Sequence, residues 1–581
     1  MKHLKPLLIA YTLIFGTAFA VLTYFNMWGQ LFENPDTVKL PYYILMTLLR
    51  MSAAYALVVV FGLVYGIVAG MYRNARIFMM PLLDILQSIP VLGYLPAFML
   101  FFTDILPLRI GLEIASILLI FTGMAWAVAF NIIAAVRGIP NDIREASNSF
   151  GMTGLRYVRH VVLPAIFPSF ITGSVLAWGG GWYFLVAAEF LTFGVRHYEL
   201  PGIGFYLAKS VYQLNNFASA IFGLAVFIAM IYTINTVIWR PLLAYSSRFK
   251  VQGRASALDI ESNSEQGSMV FKVADWIAKR RYGIDNLVFS RFDALNKFLR
   301  KFFKVRIKYV PQKRKKTILP WWKQIPLYTV LFGIVMVALA LFIASSLQKP
   351  LSDMSVAMNH HPESFHLPEY TLLSVMRIVI AYFIALSWTL VAGIIVTRNK
   401  KLYDLFFPIF DIGQSTPALA LFPFIVILLI NVLGGGRISI ELASILLLLT
   451  GTQWYLLFNI IGSIKSIPGD INEAAAAFQI KGLDYYRYIL LPAILPGLIN
   501  GSIQAFGGAW NALIVSEYIS FEGKTFMVPG LGSFLSQATI WGEPTLVALA
   551  VALMSLSVIA INVLVWRRLF NYAERFKFEA I

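Results

Sequence analysis

The chain has 581 residues, of which 59% are hydrophobic and only 13% charged, and its mean hydropathy is +0.73. That apolar share exceeds the roughly 45–50% usual in soluble domains, so the composition excludes an ordinary soluble enzyme and specifies an integral membrane protein. A formal net charge of +18 comes with no cysteine at all, which removes disulfides, thiolate metal sites and cysteine nucleophiles.

The N-terminal run is basic at Lys2 and Lys5 and then apolar over 7–28. It has no small-residue cleavage site after it, so a retained first span is expected rather than a signal peptide. Further apolar runs of about 20 residues or more, enough to cross about 30 Å of hydrocarbon, fall near 42–70, 77–103, 111–136, 165–191 and 216–243. A second set lies near 325–347, 369–396, 404–433, 440–463, 493–519 and 543–567. The expected fold is all-α, with twelve transmembrane helices in two sets of six. Arg73, Arg76, Arg137, Arg144, Arg156 and Arg240 fall on one side of these spans, and the opposite loops are poor in Lys and Arg. This asymmetry predicts that both termini and the middle of the chain are cytoplasmic.

The two sets are copies. Glu113 and Glu441, Glu145 and Glu473, Pro164 and Pro492, Trp182 and Trp510, and Glu189 and Glu517 are each 328 residues apart. Earlier in each half the offset is 327, pairing Arg50 with Arg377, Asp84 with Asp411 and Gln87 with Gln414. An even number of spans per copy keeps both in the same, parallel orientation, so their symmetry axis should follow the membrane normal with a pathway between them. The expected units are 1–245 and 323–581.

Between them, 246–322 is a basic linker: the stretch 245–323 holds 19 Lys or Arg against 6 Asp or Glu. Within it Leu295, Phe298, Leu299, Phe302 and Phe303 recur at helical spacing with Lys297, Arg300, Lys301 and Lys304 on the other faces. Such an amphipathic helix suits an anionic lipid surface, and next to membrane spans this is favoured over nucleic-acid binding.

The most specific motif lies between the fourth and fifth spans of each half. "EASNSFGMTGLRYVRHVVLPAIFPS" begins at Glu145 and "EAAAAFQIKGLDYYRYILLPAILPG" at Glu473. Asn141 is expected to cap a short helix, Gly151 and Gly154 to form a turn, and Leu155–Pro164 to form a second short helix. The segment resembles the EAA loop of binding-protein-dependent ABC importer permeases. Each half then corresponds to a six-span type I permease unit, and the resemblance covers roughly 40–245 and 367–568. The stretches "LDILQSIPVLGYLPAFMLFF" and "FDIGQSTPALALFPFIVILL" look like the third span of the nitrate, sulfonate, taurine and bicarbonate group.

The resemblance implies a permease of the inner cell membrane for a small anion, with duplicated permeases for iron or thiamine as the alternative. It places Glu145, Ala146, Gly151, Gly154 and Pro164, and Glu473, Ala474, Gly482 and Pro492, in loops that dock on two ATP-binding subunits. ATP would be bound there and not by this chain, which is then no enzyme, and an extracytoplasmic substrate-binding protein would deliver the solute. Gln479 stands where the first glycine of the pattern is expected, and Ser147 replaces its third small residue. An ion-coupled carrier or channel is disfavoured, because ionisable relays or inverted repeats would be expected there.

The candidate pathway or gate residues are Arg50, Arg377, Glu189, Glu517, Trp182 and Trp510. Arg50 and Arg377 lie about 13 Å into the second span at the helical rise, where a charge is costly unless paired or wet. Three roles stay open: pairing with the glutamates at an outer gate, an anion site, or snorkelling to the interface. Asn131, Asn459, Gln87 and Gln414 suit interhelical hydrogen bonds or a cavity lining. Gly523-Lys524-Thr525 mimics part of a P-loop, but Tyr518 stands where a glycine is required. His360, His361, Glu363 and His366 could in principle hold zinc; an exterior loop with no counterpart in the first half favours solvated side chains.

Overall fold

The computed structural model describes residues 4–249 and 356–576, apart from 89–90, 92–100, 104, 153, 194–195, 417, 435 and 522–523. The basic linker, its amphipathic stretch and the expected span 325–347 lie outside the described residues, as does part of the third-span motif.

In the first half the chain runs through α1 (Leu4–Tyr24), α2 (Trp28–Glu33), α3 (Leu40–Met71), α4 (Arg73–Ser88), α5 (Leu108–Arg137), α6 (Asn141–Ser149) and α7 (Leu155–Glu189). A hairpin of β1 (Phe190–Phe193) and β2 (Arg196–Glu199) follows, then α8 (Ile203–Ala208) and α9 (Phe217–Ser246). The second half repeats the pattern as α10 (Leu367–Arg398), α11 (Lys400–Ser415), α12 (Ala418–Leu433), α13 (Arg437–Lys465), α14 (Gly469–Ala477) and α15 (Leu483–Glu517). It closes with β3 (Tyr518–Phe521), β4 (Lys524–Met527), α16 (Leu531–Trp541) and α17 (Pro544–Ala573). Among the described residues, eight helices are long and apolar enough to cross a membrane.

Three expectations are corrected. The chain is not purely helical: each fifth-span helix stops at its glutamate, and the Glu189 and Glu517 carbonyls accept N–H groups from Leu200 and Val528 at 3.2 and 3.0 Å, closing the hairpins. The third span of the second half is not continuous over 404–433, since α11 ends at Ser415 and α12 begins at Ala418. The reason is chemical: Pro417 has no backbone N–H and disfavours helix in the residue before it. The second short helix expected after Gly154 is instead the first turns of α7, joined to the rest through a π turn at Val158–Val162. The equivalent π turn in α15 is Tyr486–Leu490, and Pro164 and Pro492 follow directly, where a missing donor costs least.

Helix contacts follow the small residues. Gly62, Gly66 and Gly70 line one face of α3 at four-residue spacing and meet Val128, Ile132 and Val136 of α5. In lipid, where apolar burial between helices gains little, such close approach supplies the packing. A Cβ at Gly66 would sit 2.5 Å from the Ile132 side chain, so Gly66→Leu should separate the two helices. The expected cost is about 1–3 kcal/mol, read as a lower thermal midpoint in detergent. Gly16→Leu, where no atom of the described residues lies within 4 Å, is the control.

The third-span elements pack across the repeat boundary. Helix α4 lies against α17, while α11 touches α7 and α9, and α12 touches α7. One apolar core accordingly contains Val91, Leu119 and Phe184 together with Trp510, Leu513 and Met554.

Candidate functional site

The buried charges assemble into two matched clusters. In the first half Arg50, on α3, grips Glu113 of α5 with two parallel bonds, from Nε to Oε2 at 2.6 Å and from Nη2 to Oε1 at 2.8 Å. Its Nη1 donates to Glu189 Oε1 at 2.9 Å and to the Pro201 carbonyl at 2.8 Å. Glu189 also accepts from Thr47 Oγ1 at 2.6 Å and from the Gly204 N–H at 2.7 Å. Thr47 in turn accepts the Ile203 N–H at 2.9 Å.

The second half repeats this partner for partner, with Nη2 instead of Nη1 donating to the proline carbonyl. Arg377 holds Glu441 at 2.6 and 2.8 Å, Glu517 at 2.6 Å and the Pro529 carbonyl at 2.8 Å. Ser374 takes the place of Thr47, donating to Glu517 at 2.7 Å and accepting from Leu531 at 2.9 Å. Gly532 donates to Glu517 at 2.7 Å.

Burial gives the clusters their weight. The side chains of Arg50 and Glu189 are 3% and 0% exposed, while Glu113 is 30% exposed. A buried carboxylate needs its lone pairs satisfied, and here two elements do so for Glu189: α3, through Thr47 and Arg50, and the segment that follows the hairpin, through Gly204. Gly202 and Gly530 are fitted to this, because a Cβ on either would fall inside the carboxyl group of Glu189 or Glu517. The first cluster sets one cation against two carboxylates, the second adds the exposed Arg437 at 4.0 Å from Glu441, and each buried guanidinium is committed to four protein acceptors. An incoming anion would therefore find the guanidinium already occupied. Sequence reasoning takes Glu113 and Glu441 only as matched repeat positions; a carboxylate kept in both copies inside an apolar run is the signal that finds them.

Trp182 and Trp510 are core residues, each 1% exposed. Trp182 stands edge-on to Trp178 and Phe227. Asn131 and Asn459 donate back to Ala127 and Tyr455 within their own helices, and Asn459 also accepts from Asn500 across to α15 at 3.1 Å. Gln87 and Gln414 are half-buried. His361 stacks on Trp541, and His366 faces Glu369 at 3.2 Å. Among the described residues no group of three His, Cys, Asp or Glu is placed to hold a metal ion.

The two loops have one construction. Helices α6 and α14 both begin behind a proline, Pro140 and Pro468, so Asn141 is the first helical residue and not the cap expected for it. Both end in the same motif: Met152 donates to Ser147 and Gly151 to Asn148, as Ile480 donates to Ala475 and Gln479 to Ala476. Gly151 has φ +67° and Gln479 φ +56°, so glutamine is forced into the left-handed conformation that glycine adopts freely. The turn survives the substitution at an expected cost of about 1–2 kcal/mol. Gln479→Gly should recover most of that, seen as several-fold slower amide exchange in 469–480, whereas Gln479→Ala should not.

Gly154 and Gly482, at φ +61° and ψ −131° or −133°, start the next helix from a conformation open only to glycine. Ser147 and Ala475 are the buried faces of the short helices, and the Ser147 hydroxyl bonds back to Ile143 at 2.6 Å. Glu145, Ala146, Glu473 and Ala474 are exposed. Phe150 and Phe478, also 328 apart, are 78% and 80% exposed at the tips. Sequence reasoning passes over them, because one aromatic in an apolar chain gives no signal until its exposure is known.

Comparison with known proteins finds one family twice in the chain. The family described as "Binding-protein-dependent transport system inner membrane component" matches twice, over 59–240 and 389–571. The bicarbonate transport system permease protein of Synechococcus elongatus is 28% identical over 185 residues, 32% of this chain and 62% of that one. A nitrate import permease protein of Leptolyngbya laminosa is 31% identical over 161 residues, 28% of this chain and 53% of its own. The taurine transport system permease protein of Escherichia coli is 31% identical over 145 residues, 25% of this chain and 50% of its own. The aligned stretches thus span about half to three fifths of these relatives.

Proposed function

The chain belongs to the family of binding-protein-dependent transport system inner membrane components, and from that premise we propose that it is the permease of an ATP-driven importer for a small anion. The observation that carries this reading is the pair of equivalent loops 328 residues apart, built with the same helix, the same end motif and the same exposed phenylalanine. Two identical presentations on one chain suit two ATP-binding subunits. Phe150 and Phe478 would be their apolar anchors, with Glu145 and Glu473 beside them.

The anion assignment draws on relatives named for bicarbonate, nitrate and taurine. Twelve spans in two parallel units, 1–245 and 323–581, with both termini and the 246–322 linker in the cytoplasm on anionic lipid, complete the proposal. An extracytoplasmic binding protein would supply the solute to the hairpin side, and no nucleic acid is involved. The Arg–Glu clusters then brace the outer ends of the second, fourth and fifth spans, where a gate must move as one piece.

Reconstitution tests this. Proteoliposomes holding the chain with the ATP-binding subunits and binding protein encoded beside it should take up labelled nitrate, bicarbonate or taurine only when ATP is supplied. Uptake that persists without the ATP-binding subunits would point to an ion-coupled carrier and end the proposal.

A further inference from the structure

Position 183 and position 511 are the same place in the two copies, 328 residues apart. They touch: the Tyr183 hydroxyl donates to the Asn511 carbonyl at 3.4 Å. A residue that meets its own counterpart must lie beside the axis relating the halves, because every other position is carried away from itself by the rotation. The Asn511 side chain also accepts the Val91 N–H at 2.7 Å, so the third span of the first half is drawn into the same point. Its amide donates to the Gly507 carbonyl at 3.1 Å.

One turn nearer the loops, Gly179, Gly180 and Gly507 have no atom of the described residues within 4 Å of where a Cβ would be, while Gly508 meets the Tyr455 ring at 3.1 Å. At the helical rise, Glu189 and Glu517 lie about 9 Å beyond on the other side. Open space on one side of the Tyr183–Asn511 contact, and sealed ion-pair clusters on the other, mark a constriction.

We propose that Tyr183 and Asn511 close the narrowest point of the path and are the groups that contact the permeating anion as it opens. This inference rests on the permease reading above. In the closed arrangement Asn511 takes up both the Tyr183 hydroxyl, on its main-chain carbonyl, and the Val91 N–H, on its side-chain oxygen. Parting α7 from α15 frees the Tyr183 O–H, and the Asn511 amide, which spends one N–H on Gly507 within α15, has its second to offer; an oxyanion supplies acceptors for both. Neither group carries a formal charge. That suits passage, since a path must hold an ion strongly enough to admit it and weakly enough to release it, whereas a guanidinium grips an oxyanion in two places. The phenol on one side and the amide on the other also make the opening asymmetric, so its size is set mainly by Tyr183.

The absence of cysteine makes the chain usable as it stands. Full-length Tyr183→Cys/Asn511→Cys in native membranes should be bridged by a short bis-maleimide, because a cysteine falls short of the point the tyrosine hydroxyl reaches, and the bridge should hold the two halves together after proteolysis within 246–322; no cross-link would overturn the axial placement. In proteoliposomes with its partner subunits, Tyr183→Ala should shift the ratio of taurine to nitrate uptake by about ten-fold, the scale on which pocket size discriminates. Tyr183→Asn, which makes the point symmetric, should move it the same way and guards against a misfolded variant. An unchanged ratio in variants that transport would sink this inference alone. No uptake by the unaltered chain would sink the permease reading with it.

Discussion

Arg50→Met should be the most damaging single substitution in the membrane region, more so than Glu189→Gln. Removing the guanidinium leaves the Glu189 carboxylate, fully buried, facing Glu113 with no cation between them. Stranding one member of a buried pair costs about 3–5 kcal/mol, enough to consume much of a domain's stability. Glu189→Gln keeps the shape and leaves Arg50 bonded in two places to Glu113, so its loss should be smaller. Glu113→Gln should be milder still, because that side chain is 30% exposed. The double variant Arg50→Met/Glu189→Gln should recover part of the Arg50→Met loss, with a coupling of about 0.5–3 kcal/mol. Thermal unfolding in detergent, followed by the monodisperse fraction, measures all four. Strictly additive losses would show that the contact carries no energy. The same cycle on Arg377 and Glu517 should give matching values, since the second cluster repeats the first. Arg50→Lys should not rescue, because an ammonium cannot reach two carboxylates and a carbonyl in one plane.

Reversing the charge of both loop glutamates, Glu145→Lys with Glu473→Lys, should abolish co-purification of the ATP-binding subunits and uncouple their ATPase activity from transport. Both side chains are exposed and neither pairs with the body of the protein among the described residues, so folding should change by less than about 0.5 kcal/mol. Phe150→Ser with Phe478→Ser should weaken the same association through lost apolar contact, as buried aromatic anchors at interfaces do. Either single-loop variant should retain partial binding. A double variant that still assembles and couples as the unaltered chain does would remove the loops from the docking role.

Much of this protein is legible in one dimension. Hydropathy alone places the eight long apolar helices among the described residues, because in hydrocarbon every backbone N–H and C=O must bond within its own segment. The fixed offset exposes the duplication, and Gly151 and Gly154 mark a turn because their left-handed conformations exclude most other residues. Pairs decided by contact are different. That Arg50 binds Glu113 as tightly as Glu189, that Gly202 gives way to a carboxylate, and that Gln479 tolerates a glycine's conformation depend on neighbours far away in sequence. The hairpins after Glu189 and Glu517 escape notice because four-residue strands bury no alternating face. The meeting of Tyr183 with Asn511 could be found only in three dimensions: the repeat makes the two positions equivalent, but only the packing of α7 against α15 and the third spans brings them to the axis.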